Sequence, residues 1–324
     1  MSLHKWLSNF PKDTPLYYKD GVFYVNAGFV SSRYFADSDM TESSESEAFA
    51  YSMSTVREAL HDMPVSYRVG VDDSGVLHVS GLDDSITLEV APLASKVPSE
   101  ALDTPADFED AVELPWTDAL SELTTLARSS LSFAQRNGYG EGYLHVSCDK
   151  AWLSAGELTI LFNSSEGYLP EDSEDILLSL GALKHLQRSK LDAQQGVYLT
   201  SSHLMYVDGN NAFNYLYVKD GTNVTLPAET LRYLDVTEGI ILPESVVSLL
   251  QLKSKLTSIT STGVHCGERF FTVETGIEDT IYLPDGIAQI LHAALKGNTV
   301  FYKDNRVGEL MFTETPYNKI VGVF

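Results

Sequence analysis

Leu-Pro occurs five times in this chain, and at 114–115, 169–170, 242–243 and 283–284 it stands after an apolar stretch and before a helical pattern. Proline cannot donate to a strand ladder, yet it suits the approach to a helix start. The dipeptide therefore marks a recurring switch of period. After 283, Ile287, Ile290, Leu291, Ala294 and Leu295 fall at i, i+3, i+4, i+7 and i+8, one apolar face, and Gly297-Asn298 stop it. Leu3, Trp6, Leu7 and Phe10 repeat that spacing, as do Val56, Ala59, Leu60 and Met63, where Thr55 and Glu58 offer a capping box. Further helices are expected over 117–134, 174–188 and 245–255, which makes six.

Between the helices the period is two. "SYRVGV", "VLHVSG" and "ITLEV" follow the second helix, with turns at Asp73-Ser74-Gly75 and Asp83-Asp84. "YLHVSC", "AWLSA" and "LTILFN" follow the third; "GVYLTSS", "LMYVDG" and "FNYLYVKDG" follow the fourth. "FFTVET" with "TIYLP", and then "TVFYKD" with "GELMFTE", close the series. One helix followed by two to four antiparallel strands, six times over, is an α+β plan. Taken in pairs, the units give three domains of ordinary size: 1–98, 99–222 with a linker at 99–112, and 223–324. The serine-rich acidic stretch 37–48 stands outside this plan and reads as a solvated loop.

No run of eighteen apolar residues occurs, so no helix is expected to span a membrane. The opening "MSLHKWLSNFPKD" lacks the pattern of a signal peptide, and two cysteines, Cys148 and Cys266, fit a reducing cytoplasm. The formal net charge of −23 opposes wrapping nucleic acid on the outer surface.

The placement of the bases is more telling than their number. The helix windows hold eleven of the 22 Lys and Arg but only six of the 45 Asp and Glu. They carry Lys5, Arg57, Arg128, Arg136, Lys184, Arg188, Lys190, Lys253, Lys255 and Lys296, with Lys12 beside the first helix and His292 on the polar face of the last. Helix-dipole preference explains the acids in first turns and the bases in last turns. It does not explain why 39 acids avoid the helices. Ser121, Thr125 and Arg128 form one polar row, Lys184 and Arg188 another, and Gln289, His292 and Lys296 a third. These are phosphate-contact residues without interleaved aromatics, suited to holding a polyanion without reading it.

Three domains, each of two helices packed on antiparallel sheets, resemble the DNA sliding clamps, and the bacterial beta clamp in particular. The likeness is best over "TIYLPDGIAQILHAALKGNTVFYKDNRVGELMFTETPYNKIVGVF" and over "GYLHVSCDKAWLSAGELTILFN", where an Asp-containing turn, here Asp149, precedes Leu153. The Gly-His-Arg run usual in that family is replaced by Lys150, Ala151 and Trp152, and the last segment lacks the usual Met and Pro. The resemblance implies a homodimeric ring whose helices face double-stranded DNA, serving a DNA polymerase and a clamp loader as processivity factor. It implies a cytoplasmic location, in a bacterium or a bacterial virus, and neither cofactor nor metal. It also implies a partner-peptide pocket walled by Val321, Val323 and Phe324, with Trp152 and Leu153 opposite. From the residues alone, the same apolar end could instead complete an edge strand of the last sheet.

Other chemistry is thinly supported. "GYGEGY" follows a helix and precedes a strand, the reverse of a dinucleotide motif. His145, Cys148, His265 and Cys266 lack the spacing of a closed zinc site. No nucleophile elbow, His-Glu-x-x-His or Walker loop occurs, so an enzyme is not expected. Two rival readings remain. A virion structural protein of repeated β units predicts no excess of base on helices. An acidic mimic of DNA should carry its carboxylates on helices, where this chain carries its bases.

Overall fold

The structure is a computed structural model. It describes residues 2–36, 47–63, 66–82, 86–103, 111–136, 142–155, 158–189, 196–209, 211–221, 256–278, 300–303, 310–314 and 317–323, together with 138, 191, 240–241, 243–245, 249 and 280–282. The chain divides into two compact units, residues 1–115 with 188–218, and 116–187 with 219–324. Among the described residues there are four α-helices: α1 (Leu3–Leu7), α2 (Met53–His61), α3 (Asp118–Arg136) and α4 (Leu180–Ser189). Ser245 and Leu249 are helical within the fifth expected helix and Glu244 just ahead of it, whereas the sixth lies outside the described residues.

The first unit is built on an eight-stranded antiparallel sheet. Its order is Phe49–Ser52, Pro15–Lys19, Val22–Asn26, Val30–Phe35, Ala212–Tyr217, His203–Asp208, Val197–Leu199 and Val112–Glu113. The hairpin between the second and third of these turns on Asp20-Gly21, with φ of 51° and 79°. Two successive positive φ values match the right-handed strand twist, and Asp-Gly is a favoured pair for them. Sequence periodicity did not single out the strands at 15–35, although that dipeptide between alternating residues marks them. Leu16, Phe23 and Val25 fill one face, against Leu3, Trp6, Leu7 and Phe10 from α1 and its exit. Trp6 Nε1 donates to Ser32 Oγ (2.8 Å), which also lies 2.8 Å from Asn214 Oδ1 and 3.1 Å from the Phe213 carbonyl oxygen. A buried indole N–H needs such an acceptor, and this one joins α1 to two strands distant in sequence. A separate three-stranded sheet, Tyr67–Val71, Leu77–Gly81 and Thr87–Val90, follows α2.

The second unit holds a nine-stranded antiparallel sheet. Its order is Lys219–Asp220, Ile176–Ser179, Tyr143–Val146, Lys150–Ala155, Leu158–Asn163, Lys319–Val323, Leu310–Glu314, Val300–Lys303 and Ile240–Ile241. Leu144, Val146, Leu153, Ile160 and Phe162 are buried on one face of it. α3 supplies Ala119, Leu120, Leu123, Ala127, Leu131 and Ala134 to the core of this unit, a continuous i, i+3, i+4 stripe. Each large side chain so buried contributes roughly 1.5–3 kcal/mol. A four-stranded sheet, Arg269–Thr272, Gly263–Cys266, Leu256–Thr260 and Ile281–Tyr282, completes the unit.

Two expectations are corrected. The helix expected from 174 begins at Leu180, because Ile176–Ser179 pairs with Tyr143–Val146 as a strand. A short apolar run ahead of a helix reads as its first turn until the ladder claims it. The cap of α2 is Ser52, whose Oγ accepts from Thr55 N (3.4 Å), so Thr55 is the third residue of the helix rather than its cap.

Candidate nucleic-acid and partner interfaces

α3 turns a polar face to solvent made of Asp118, Ser121, Glu122, Thr125, Arg128, Ser129, Ser132, Gln135 and Arg136, none of them buried. Its start is capped by Thr117, whose Oγ1 accepts from Leu120 N (3.2 Å). The hydroxyls of Thr124 and Thr125 donate to the Ser121 carbonyl (3.0 Å each), and that of Ser129 to the Thr125 carbonyl (3.1 Å). Back-bonded hydroxyls keep this face short and smooth. Arg136 Nε donates to the Ser132 carbonyl (3.1 Å), while Arg128 Nη2 reaches only Ser129 Oγ (3.4 Å) and its Nε has no acceptor. On α4, Lys184 and Arg188 stand one turn apart, with Gln187 exposed beside them.

In the first unit the bases gather around the end of α1. Arg188 Nη1 donates to the Asn9 carbonyl (2.8 Å) and Arg57 Nη1 to that of Phe10 (3.4 Å). Two guanidinium groups thus satisfy carbonyls just past a helix end, where the dipole favours cations. Lys5 is exposed on α1 itself. These two arginines therefore have a structural role as well as an exposed charge.

Lys5, Arg57, Arg128, Arg136, Lys184 and Arg188 are the expected DNA-facing residues that the structure describes. None of the six forms an ion pair with a carboxylate among the described residues. Among the described residues Lys150 is the one Lys or Arg that does pair, with Asp149, so the helix bases share this lack with those of strands and loops. Lys190, Lys253, Lys255, His292 and Lys296 lie outside the described residues.

The expected partner pocket centres on the carboxyl-terminal strand. Lys319–Val323 is not an edge: it pairs with Leu158–Asn163 on one side and Leu310–Glu314 on the other. Trp152 is opposite Leu161, and Leu161 is opposite Val321, so those three positions share one row across the sheet. Leu153 belongs to the neighbouring row, with Ile160 and Gly322, and is fully buried on the other face. The structure thus brings Trp152 and Val321 into one row and sets Leu153 apart from them. Val323 is opposite Thr159 and Leu310; Phe324 lies outside the described residues.

Sequence reading missed the roles of two side chains in this unit. His145, opposite Trp152, stacks on its indole at 3.6 Å between ring centroids, and its Nε2 lies 2.9 Å from Asp175 Oδ2. Asn318, 3% exposed, accepts from Tyr168 OH (2.5 Å) and donates to Glu122 Oε2 (2.6 Å) and the Ala119 carbonyl (3.2 Å). Burial, with Glu122 close by, pushes the Tyr168 phenol pKa well up, so it stays a neutral donor. Neither group has a signal in sequence, since both depend on residues far along the chain.

No family model matches the chain, and no curated protein matches it in sequence. Solved structures do match its fold. The Helicobacter pylori beta clamp in complex with 3,4-difluorobenzamide superimposes with a TM-score of 0.66 at 10% identity, over 99% of this chain and 96% of that one. The same clamp bound to a DNA ligase peptide gives 0.61 at 9%, over 99% and 95%. The DNA polymerase sliding clamp from Bacillus subtilis gives 0.63 at 13%, over 99% and 96%. The chain has the fold of the bacterial beta sliding clamps from end to end.

Proposed function

We propose that this chain is the subunit of a DNA sliding clamp, a non-catalytic ring that encircles duplex DNA and tethers the replicative polymerase. The observation that carries this reading is a fold that matches clamps over its whole length, in a chain of net charge −23 whose expected helix windows hold eleven of the 22 Lys and Arg but six of the 45 Asp and Glu. Bases left without carboxylate partners are available to phosphates. An acidic exterior keeps DNA from sticking elsewhere. Lys5, Arg57, Arg128, Arg136, Lys184 and Arg188 face the duplex, joined by Lys190, Lys253, Lys255, His292 and Lys296. Contacts of this kind are mobile and sequence-independent, which lets the ring slide.

In this reading the chain has three domains, 1–98, 99–222 and 223–324, and two chains close head to tail in the cytoplasm of a bacterium or a virus-infected host. Each large sheet then crosses a domain junction, one where Val30–Phe35 pairs with Ala212–Tyr217 and the other where Leu158–Asn163 pairs with Lys319–Val323. Polymerase and clamp loader dock short peptides on the row that holds Trp152 and Val321, with Val323 and Phe324 at its end. A matched clamp that binds a DNA ligase peptide supports such docking.

The test is retention by topology. Loaded by its cognate loader onto a nicked circular plasmid, the protein should co-purify with the circle and leave when the plasmid is linearised. Persistence on the linear form, or loss from the circle, would overturn the ring.

A further inference from the structure

The eight-stranded sheet of the first unit has an inner face filled by Trp6, Leu16, Phe23 and Val25 and an outer face of different character. Pairing sets Tyr17, Tyr24, Arg33 and Phe213 in one outer row. Val22 and Phe35 form the row on one side, and Ser31 with Tyr215 the row on the other. Phe35 is 40% exposed and meets Phe213 edge to face at 5.4 Å. The Arg33 guanidinium carbon lies 5.9 Å from the Tyr24 ring centroid and 5.7 Å from that of Tyr215. This aromatic face holds a guanidinium between two rings.

Arg33 is the base that this aromatic face holds. Its Nε is buried and has no acceptor, and it makes no ion pair among the described residues, although acids outnumber bases two to one. Two tyrosine rings fix the guanidinium plane without using its N–H donors, because cation–π contact engages the face of the group and leaves its two terminal nitrogens to other partners. A guanidinium edge is matched by a carboxylate, which accepts two parallel hydrogen bonds. The rings around it offer apolar area to whatever carries that carboxylate. Single-stranded nucleic acid also stacks on aromatics, but it needs a track of cations, and this face supplies Arg33 and one lysine, Lys19, in the row of Val22.

We infer that this outer face is a docking site for a peptide segment of a partner protein, one that places an Asp or Glu on Arg33 and an adjacent aromatic or apolar side chain against Tyr24, Phe35 and Phe213. The site goes beyond the clamp reading, lies in a different unit from the terminal strand, and needs neither DNA nor polymerase to be observed. Its affinity is local. The net charge of the chain repels acidic ligands in general, so binding depends on the one base that meets the carboxylate.

The experiment pans a displayed dodecapeptide library against the full chain, then measures recovered peptides, made synthetically, on the parent, Arg33→Ala, Arg33→Lys, Arg33→Glu and the control Lys12→Glu. Expected are sequences with an acid beside an aromatic or apolar residue. Their affinity should fall at least tenfold in Arg33→Ala, further in Arg33→Glu, and partly in Arg33→Lys, which keeps the charge but loses the fork. Lys12→Glu, the same change of charge at an exposed base elsewhere, should alter affinity less than twofold. Unchanged melting curves separate lost binding from lost structure. Recovery of no peptide, of peptides without acids, or of peptides that bind Arg33→Ala within twofold of the parent would overturn the inference. So would oligo-dT that binds in an Arg33-dependent way while acidic peptides do not, because the face would then serve a nucleic acid.

Discussion

Among the described residues Asn318 makes three side-chain hydrogen bonds, from a side chain almost sealed from water, and they tie the start of the last strand to α3 and to Tyr168. Replacing it with Ala strands a phenol, a carboxylate and a carbonyl, so Asn318→Ala should cost roughly 2–3 kcal/mol in urea unfolding. A loss under about 0.5 kcal/mol, the range of ordinary surface changes, would mean water takes over those partners. Asp208 presents the opposite case. Burial holds its carboxyl above the ordinary pKa, Lys5 offsets part of this, and its Oδ2 has no hydrogen bond. A carboxyl raised in the folded state favours folding when protonated and loses that contribution as pH rises through the folded pKa. Asp208→Asn should therefore melt higher than the parent at neutral pH, with the gap closing below about pH 3.9, the ordinary carboxylate value. A gap that is constant with pH would show that charge is not its source. Neither residue was legible beforehand. Asparagine and aspartate read as turn formers in sequence, and only the fold reveals which of them are enclosed.

At the scale of elements, the sequence reading succeeded where the signal is local. The period-3.6 stripes place α3 to within two residues and find α2 with its start three residues late, and most strands from Tyr143 onward stand where alternation puts them, although Leu256–Thr260 and Gly263–Cys266 were missed. It failed where a neighbour far along the chain decides. Ile176–Ser179 is a strand because Tyr143–Val146 is there to receive it, and Val30–Phe35 bonds a strand about 180 positions away. The terminal segment shows the same limit. Its apolar residues identified it as buried or paired, but not that partners stand on both sides. That pairing changes what truncation should do. Removing residues 321–324 deletes the ladder from Val321 to Val323 against two strands, at about 0.5–1.5 kcal/mol per hydrogen bond, so melting should fall well before any effect on polymerase can be read. Trp152→Ala separates the two roles, since it leaves every backbone pair in place. Affinity for a polymerase-derived peptide should drop at least tenfold with a fall in melting of a few degrees. Full affinity in that variant would remove Trp152 from the pocket.

For the whole molecule, the exposed apolar residues bear on assembly. The three-stranded sheet of the first unit ends on Thr87–Val90, with Leu82 57% and Ile86 47% exposed at its margin. The four-stranded sheet of the second unit ends on Arg269–Thr272 and Ile281–Tyr282, with Phe270 46% and Tyr282 69% exposed. An open strand edge with apolar side chains invites a strand from another chain, and proteins that stay single usually blunt such edges. We propose that these two edges, from the first and last proposed domains, form the seam of the head-to-tail pair, a contact that would occur twice in a closed ring. Two chains of charge −23 repel one another over a distance, so apolar and main-chain contact at the edges has to hold them. Light scattering at micromolar concentration should therefore give twice 35.7 kDa, and added salt, which screens the repulsion, should not break the pair. Phe270→Glu sets a charge in that seam while touching only a half-exposed position, so it should yield the 35.7 kDa chain with a nearly unchanged melting temperature. A variant that remains dimeric would place the seam elsewhere. A parent chain that is monomeric at that concentration would leave no ring for DNA to pass through.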